Sequence, residues 1–179
     1  IYEAGSAESG GLAQPFFAME FIEGQPITQY VQQENLSARE RVDLLRRVAD
    51  GVHHAHQKGV IHRDLKPANI LVDAHGQPKI LDFGVARVTE ADIQMTTLPH
   101  DAGAVVGTLS YMSPEQADGN AHEVDVRTDV YALGMIAFEV MTGQRPYRLE
   151  TRLIHEAVRM IHEQEPTRLG TVNRAFRGD

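Results

Sequence analysis

The 179-residue chain contains no cysteine. Disulfide frameworks, thiolate-held zinc or iron–sulfur sites and cysteine nucleophiles are therefore excluded. Basic residues are the minority, 17 Lys+Arg against 25 Asp+Glu, and a net charge of −8 argues against a surface that tracks nucleic-acid phosphates. Long apolar runs are missing as well. The longest, Val130 to Phe138, is too short to cross a bilayer, and no charged-then-apolar leader opens the chain. Internal repeats and low-complexity blocks are absent. What remains, 42% hydrophobic and 23% charged residues, suits one soluble globular domain with a real core. Both ends read as cut: Ile1 to Gly5 looks like the end of a strand without an initiator Met, and Asn173 to Asp179 stop without a helix cap.

Hydropathy and punctuation divide the chain. Gly5 to Gly11 reads as a Gly/Ser/Ala-rich loop, and Pro15 to Ile22 as an apolar, strand-like stretch broken by Gly24 and Pro26. Ile27 to Glu34 has the character of a short helix. Ser37 and Glu40 have capping-box spacing, and Leu45, Val48, Val52 and Ala55 recur at helical intervals, so one amphipathic helix is expected over Ala38 to Lys58, stopped by Gly59. Ile70-Leu71-Val72 and Lys79-Ile80-Leu81 flank a turn on Ala74 to Gln77, the pattern of a small hairpin. Val85 to Tyr111 lacks periodicity, and a loop that long is usually functional. Val126 to Thr142, apolar nearly all round and closed by Gly143, reads as a buried central helix; Glu150 to Gln164 reads as a last amphipathic one.

The densest signal is His62-Arg63-Asp64-Leu65-Lys66-Pro67-Ala68-Asn69, with Asp82-Phe83-Gly84 beginning thirteen residues after Asn69. A short hairpin brings two acids and an amide together. An Asp and an Asn can hold Mg²⁺ through oxygen while a second Asp accepts a proton. Lys66 can neutralise charge on a transferring phosphoryl group. Phosphoryl transfer requires that set of groups. His53, His54 and His56 cluster late in the first long helix, but no carboxylate accompanies them at ligand spacing, so they are expected to be exposed helix histidines.

These two segments resemble the catalytic-loop and metal-loop signatures of eukaryotic-type serine/threonine protein kinases, in a compact bacterial style. The resemblance implies an α+β kinase fold: residues 1–22 would be the end of a small lobe and the hinge, and 23–179 a mostly helical large lobe lacking its last helices. It implies ATP and Mg²⁺ as cofactors, and proteins with Ser or Thr acceptors as partners. Asp64 would be the catalytic base, Asn69 and Asp82 the Mg²⁺ ligands, and Lys66 a contact to the γ-phosphate. His62 would pack on Phe83. Arg63 would pair with a phosphorylated residue of the activation segment, for which Thr96 and Thr97 are the obvious acceptors.

Further segments carry the same resemblance. Gly107-Thr108 and Tyr111-Met112-Ser113-Pro114-Glu115 resemble the end of an activation segment, with Ser113 where Ala is usual. Thr108 would bond near the base and the lysine, which together with Lys66 implies Ser/Thr acceptors. In the family, Glu115 pairs with an Arg from a later helix. Asp125 to Gly134 resembles the central helix of the large lobe, where Asp129 would brace the catalytic loop; taken alone, Asp129 would read as a helix cap. Met19-Glu20-Phe21-Ile22 resembles the hinge. Adenine would bind the carbonyl of Glu20 and the amide of Ile22, with Met19 guarding the rear pocket and Leu71 forming the floor.

Departures from the pattern are equally informative. Lys58, Lys66 and Lys79 are the only lysines, so none stands on an early strand to hold the α- and β-phosphates, and Gly5, Gly10 and Gly11 do not make a phosphate-covering loop. The 179 residues alone are therefore expected to be inactive and marginally stable. Two other readings stand beside the kinase: a pseudokinase acting as a scaffold, and a small-molecule phosphotransferase of related fold. The resemblance implies a cytoplasmic domain, tethered to a membrane in many bacterial members by segments outside it.

Overall fold

In the computed structural model, which describes residues 2–9, 12–83, 109–119, 124–147, 154–172 and 176, the chain opens with a β-hairpin. Strand β1 (Glu3–Ser9) pairs antiparallel with β2 (Leu12–Ala18), from Glu3 opposite Ala18 to Ser9 opposite Leu12. Of the loop expected over Gly5 to Gly11, this corrects Gly5 to Ser9; Gly10 and Gly11 lie outside the described residues. The Gly, Ser and Ala that suggested a loop pair regularly with the more apolar strand, a tertiary context that overrides weak intrinsic β-propensity. The apolar stretch is also displaced: β2 ends at Ala18, and Met19 to Gly24 take no regular element.

A three-stranded antiparallel sheet follows, in the order β3 (Gln25–Pro26), β4 (Ile70–Val72), β5 (Pro78–Ile80). Pro26 lies opposite Leu71, and Leu71 opposite Lys79, so the segment after Gly24 is registered directly to the strand that follows Asn69. The strongest close approach is at Gly24, where a Cβ would stand 2.8 Å from the carbonyl oxygen of Val72.

Helix α1 (Ile27–Gln33) buries Ile27 and Val31. Helix α2 (Ala38–Gln57) starts in the expected capping box: the Ser37 N–H donates to Glu40 Oε2 at 2.8 Å, and the Glu40 N–H donates to Ser37 Oγ at 3.4 Å. Its buried stripe is Leu44, Val48 and Val52, with Leu45 and Ala55 at its edge. Helix α3 (Pro114–Ala117) is a single turn, α4 (Val126–Thr142) the central helix, α5 (Ile154–Glu163) and α6 (Leu169–Val172) the last two. Asp125 caps α4, accepting from the Arg127 N–H at 2.8 Å, and Gly143 ends it in the left-handed region at φ 71°.

Helix α4 packs on α1, α2 and α6, while α2 also covers β5. The core joins Leu44, Val48 and Val52 to Ile27, Ile70, Met135, Ile136 and Val140, and each fully buried side chain of this kind contributes about 1.5–3 kcal/mol. The central helix is not buried all round, as its composition suggested: Val130 is 60% exposed and Val126 41%. Its buried face carries Thr128 and Asp129 among the apolar residues, so composition alone concealed which side faces the core.

Candidate active site

The loop between α2 and β4 is built around a carboxylate outside it. Asp129, in the first turn of α4, is completely buried. Its Oδ2 accepts from the backbone N–H of His62 at 2.8 Å, and its Oδ1 from that of Arg63 at 2.9 Å. Arg63 sits at φ 69°, a left-handed conformation that costs a non-glycine residue about 1–2 kcal/mol. Two charge-assisted hydrogen bonds of about 1.5–3 kcal/mol each are enough to hold it there. The helix cap is Asp125, so Asp129 is not serving as one.

His56 overturns an expectation. The sequence pattern places it with exposed histidines, yet its ring is half-buried and Nε2 lies 2.7 Å from Asp129 Oδ2. The carboxylate can only accept, so Nε2 carries the proton. His53 and His54, by contrast, are exposed. His56 stands on the same helical turn as Val52, the buried side of α2, and that spacing was the available signal.

His62 is fully buried and its tautomer follows from its partners. Nε2 donates to the Leu81 carbonyl at 2.7 Å, which leaves Nδ1 to accept from the Asp64 N–H at 3.3 Å. Its ring lies 4.9 Å from that of Phe83, tilted by 56°. The histidine thus ties the loop carrying Asp64 to the segment carrying Asp82.

Asp64 and its neighbours are drawn together. Lys66 Nζ donates to Asp64 Oδ2 at 2.8 Å, and Asn69 Nδ2 donates to the Asp64 carbonyl at 2.8 Å and to Oδ2 at 3.2 Å. Buried Leu65 and Pro67 anchor the loop from below. Because Asn69 spends Nδ2 on Asp64, its Oδ1 is turned to the opposite side of the amide. The Leu81 N–H donates to the Asn69 carbonyl at 2.9 Å, so Asp82 follows directly after the residue bonded to Asn69. Asp82 is exposed and left-handed at φ 59°. Two of the three non-glycine residues with positive φ among the described residues are thus Arg63 and Asp82, and such strain concentrates at functional sites.

The turn leading into α3 closes the other side. Thr128 Oγ1 donates to Glu115 Oε1 at 2.7 Å. Burial pushes the Glu115 carboxyl up, but hydrogen bonds from Thr128, its own backbone and Ser113, with the nearby Arg127 charge, together hold it below the usual carboxylate range. Fully buried Ser113 reaches Gln116 Oε1 at 3.2 Å and Thr128 Oγ1 at 3.4 Å. Gln116 Nε2 donates to the Arg63 carbonyl at 2.6 Å. Thr128 and Gln116 escaped sequence reasoning, although Ser113 and Gln116 repeat the spacing of Ser37 and Glu40. Nearby, the Tyr111 hydroxyl donates to Glu139, and the Arg145 guanidinium lies 5.8 Å from the Tyr111 ring.

Among the other expected site residues, Glu20 is exposed and Ile22 half-buried in the stretch before β3, and Leu71 is half-buried on β4. Thr96, Thr97 and Thr108, along with Gly84 and the rest of 84–108, lie outside the described residues.

The model of the protein kinase domain matches residues 12–175. The chain is 35% identical over 148 residues to serine/threonine-protein kinase PknB of Mycobacterium leprae, covering 82% of this chain and 23% of that protein. It is 36% identical over 148 residues to PknB of Mycobacterium tuberculosis, with the same shares covered. A probable serine/threonine-protein kinase PknB of Corynebacterium glutamicum is 34% identical over 166 residues, 92% of this chain and 24% of the relative. This chain belongs to the protein kinase family, in a form similar to bacterial serine/threonine kinases. It spans about a quarter of the length of the curated relatives it matches.

Proposed function

We propose that the full-length protein containing this chain transfers the γ-phosphate of ATP to Ser or Thr hydroxyls of protein substrates. The observation that carries the reading is the Asp64 carboxylate, held by Lys66 and Asn69 at the end of a strained loop braced from the core. The acceptor hydroxyl oxygen forms a bond to the γ-phosphorus, its proton passes to Asp64, and the bond to the β-phosphate oxygen breaks to leave ADP. Lys66 offsets charge on the moving phosphoryl group.

The side chains of Asn69, beside the base, and of Asp82, one residue past the Leu81 amide bonded to Asn69, can offer oxygen ligands to a metal. Oxygen donors of this kind suit Mg²⁺, which takes one or two protein carboxylates or amides and completes its shell with phosphate oxygens and water. When bound, Mg²⁺ supplies charge neutralisation on the phosphates. The Glu20 carbonyl and Ile22 amide would hold adenine, with Met19 behind it and Leu71 beneath.

Regulation belongs to the same reading. Arg63 Nε is buried without a hydrogen-bond partner among the described residues, which suits an incoming anion such as a phosphorylated Thr96 or Thr97. The kinship with bacterial serine/threonine kinases, whose nucleotide is cytoplasmic, supports a cytoplasmic domain; separately, no helix among the described residues is long and apolar enough to cross a membrane.

The test is full-length protein with labelled ATP, Mg²⁺ and a protein acceptor, native against Asp64→Asn. Loss of the base should lower transfer by about a hundredfold or more. Undiminished transfer by Asp64→Asn would refute the assignment.

A further inference from the structure

The left-handed residue before Asp64 needs both of its flanking peptide planes held. Asp129 engages the N–H groups of His62 and Arg63, which orients the peptides ahead of Arg63 and sets its φ of 69°. Neither bond touches the peptide that joins Arg63 to Asp64. That plane governs ψ of Arg63, and through it the direction in which the Asp64 side chain leaves the backbone. The N–H of that peptide makes only a long bond to His62 Nδ1, at 3.3 Å, whereas its carbonyl accepts from Gln116 Nε2 at 2.6 Å.

The amide is suited to its place in a way a carboxylate is not. Gln116 Oε1 faces the Ser113 N–H at 3.2 Å, a group that only donates. Gln116 Nε2 faces the Arg63 carbonyl, a group that only accepts. The two fixed partners define the orientation of the amide, and both of its ends are used. The chain contains its own comparison. At Ser37 the third residue of the box is Glu40, where an acceptor alone is required and the site is exposed. At Ser113 the same position is glutamine, and its extra donor reaches 53 residues back in sequence to the catalytic loop. A four-residue helix needs no such long-range bond for capping.

We infer that Gln116 is a positioning residue, its side-chain amide fixing the Arg63–Asp64 peptide and so coupling the Ser113-to-Gln116 turn to the orientation of the base. The inference rests on the reading of Asp64 as the base. It makes the turn at the end of the segment after Asp82 a mechanical partner of that base. Gln116→Glu leaves shape and the acceptor to Ser113 intact, but sets a second acceptor against the Arg63 carbonyl.

The experiment uses the full-length protein and compares native enzyme, Gln116→Glu, Gln116→Ala and the control Glu40→Gln. Both Gln116 variants should lower kcat by about tenfold or more, since small displacements of a reacting group are costly, while KM for ATP stays within about twofold. The deficit of Gln116→Glu should narrow as pH falls, because the protonated carboxyl donates again; that of Gln116→Ala should not. Glu40→Gln should match native enzyme. Amide exchange should quicken over residues 62–66 in both Gln116 variants while that of 126–142 is unchanged. Native kcat in the Gln116 variants, or faster exchange spread equally over α4, would overturn the inference. If the native protein transfers no phosphate, the proposed function fails, and the exchange comparison still decides whether Gln116 holds the loop.

Discussion

His56 Nε2 and Asp129 Oδ2 lie 2.7 Å apart, joining the end of α2 to the first turn of α4 through a carboxylate that is wholly out of water. That carboxylate also receives the amides of His62 and Arg63, so one buried acid gathers three donors and holds the loop before Asp64. A buried charge is tolerable only when so fully satisfied. Asp129→Ala should cost about 3–5 kcal/mol, because it strands two backbone N–H groups and the His56 ring together. His56→Ala should cost less, about 1.5–3 kcal/mol, since the two amide bonds survive. Urea denaturation midpoints check both, and the reverse order would show that the histidine, rather than the acid, organises the loop.

Much of this arrangement was legible in the residues, for reasons that are local. The capping box at Ser37 and Glu40, the hairpin of β4 and β5 and the span of α4 all follow from spacing and turn residues, which act within a few positions. The two kinase signatures are joined by a hairpin of short strands, which is why the segment after Asn69 pairs with the segment before Asp82. The missed features act at long range. His56 looks exposed until α4 supplies Asp129, 73 residues later, and Gln116 looks like an ordinary cap until Arg63 approaches it. The hairpin of β1 and β2 is hidden for a related reason: Gly, Ser and Ala carry little strand propensity of their own, and pairing decides.

Gly24 tests how the stretch before β3 is seated. A Cβ there would stand 2.8 Å from the Val72 oxygen and 3.1 Å from its carbonyl carbon, and neither backbone atom can swing aside as a side chain could. Gly24→Ala should therefore displace residues 22–24 from β4 and cost about 1–3 kcal/mol. In the full-length protein it should raise KM for ATP several-fold with a smaller effect on kcat, because Ile22 moves and Asp64 does not. Steady-state kinetics at varied ATP decide the matter; an unchanged KM would separate Ile22 from adenine binding.

Stability should fall at both ends of the pH scale. On the acid side, hydrogen bonds from Ser37 to Glu40, from Gln77 to Asp73 and from Arg127 to Asp125 hold these carboxyls below their usual values, as the bonded set does for Glu115. A lowered carboxyl stabilises the fold above its unfolded value, and that contribution disappears as pH falls through the folded value. The loss should therefore begin near pH 4 and grow below it. On the alkaline side, burial and then the bond to Glu139 push the Tyr111 phenol up, and burial raises Tyr131. Their contribution is complete below about pH 10, the ordinary tyrosine value, and is lost above it. Melting temperature measured from pH 3 to 11 should show both arms, with Tyr111→Phe flattening the alkaline one. A flat profile above pH 10 would contradict the buried environment of these phenols.

The 179-residue polypeptide by itself should transfer no phosphate. Its lysines are Lys58 at the end of α2, Lys66 beside Asp64 and Lys79 on β5, so neither β1 nor β2 can offer the cation by which a kinase anchors the α- and β-phosphates. Its apolar surface points the same way: Phe21 is 88% exposed, and Val42, 55% exposed, shares a groove with Leu45, Leu133 and Ala137 that a covering partner would bury. The purified polypeptide should bind a hydrophobic dye and melt broadly, whereas the full-length protein should bind little dye and transfer phosphate. Measurable transfer by the 179 residues would mean that a phosphate anchor other than an early-strand lysine operates here. A sharp, dye-free melt would mean that Phe21 and the groove at Val42 are tolerated without a covering partner.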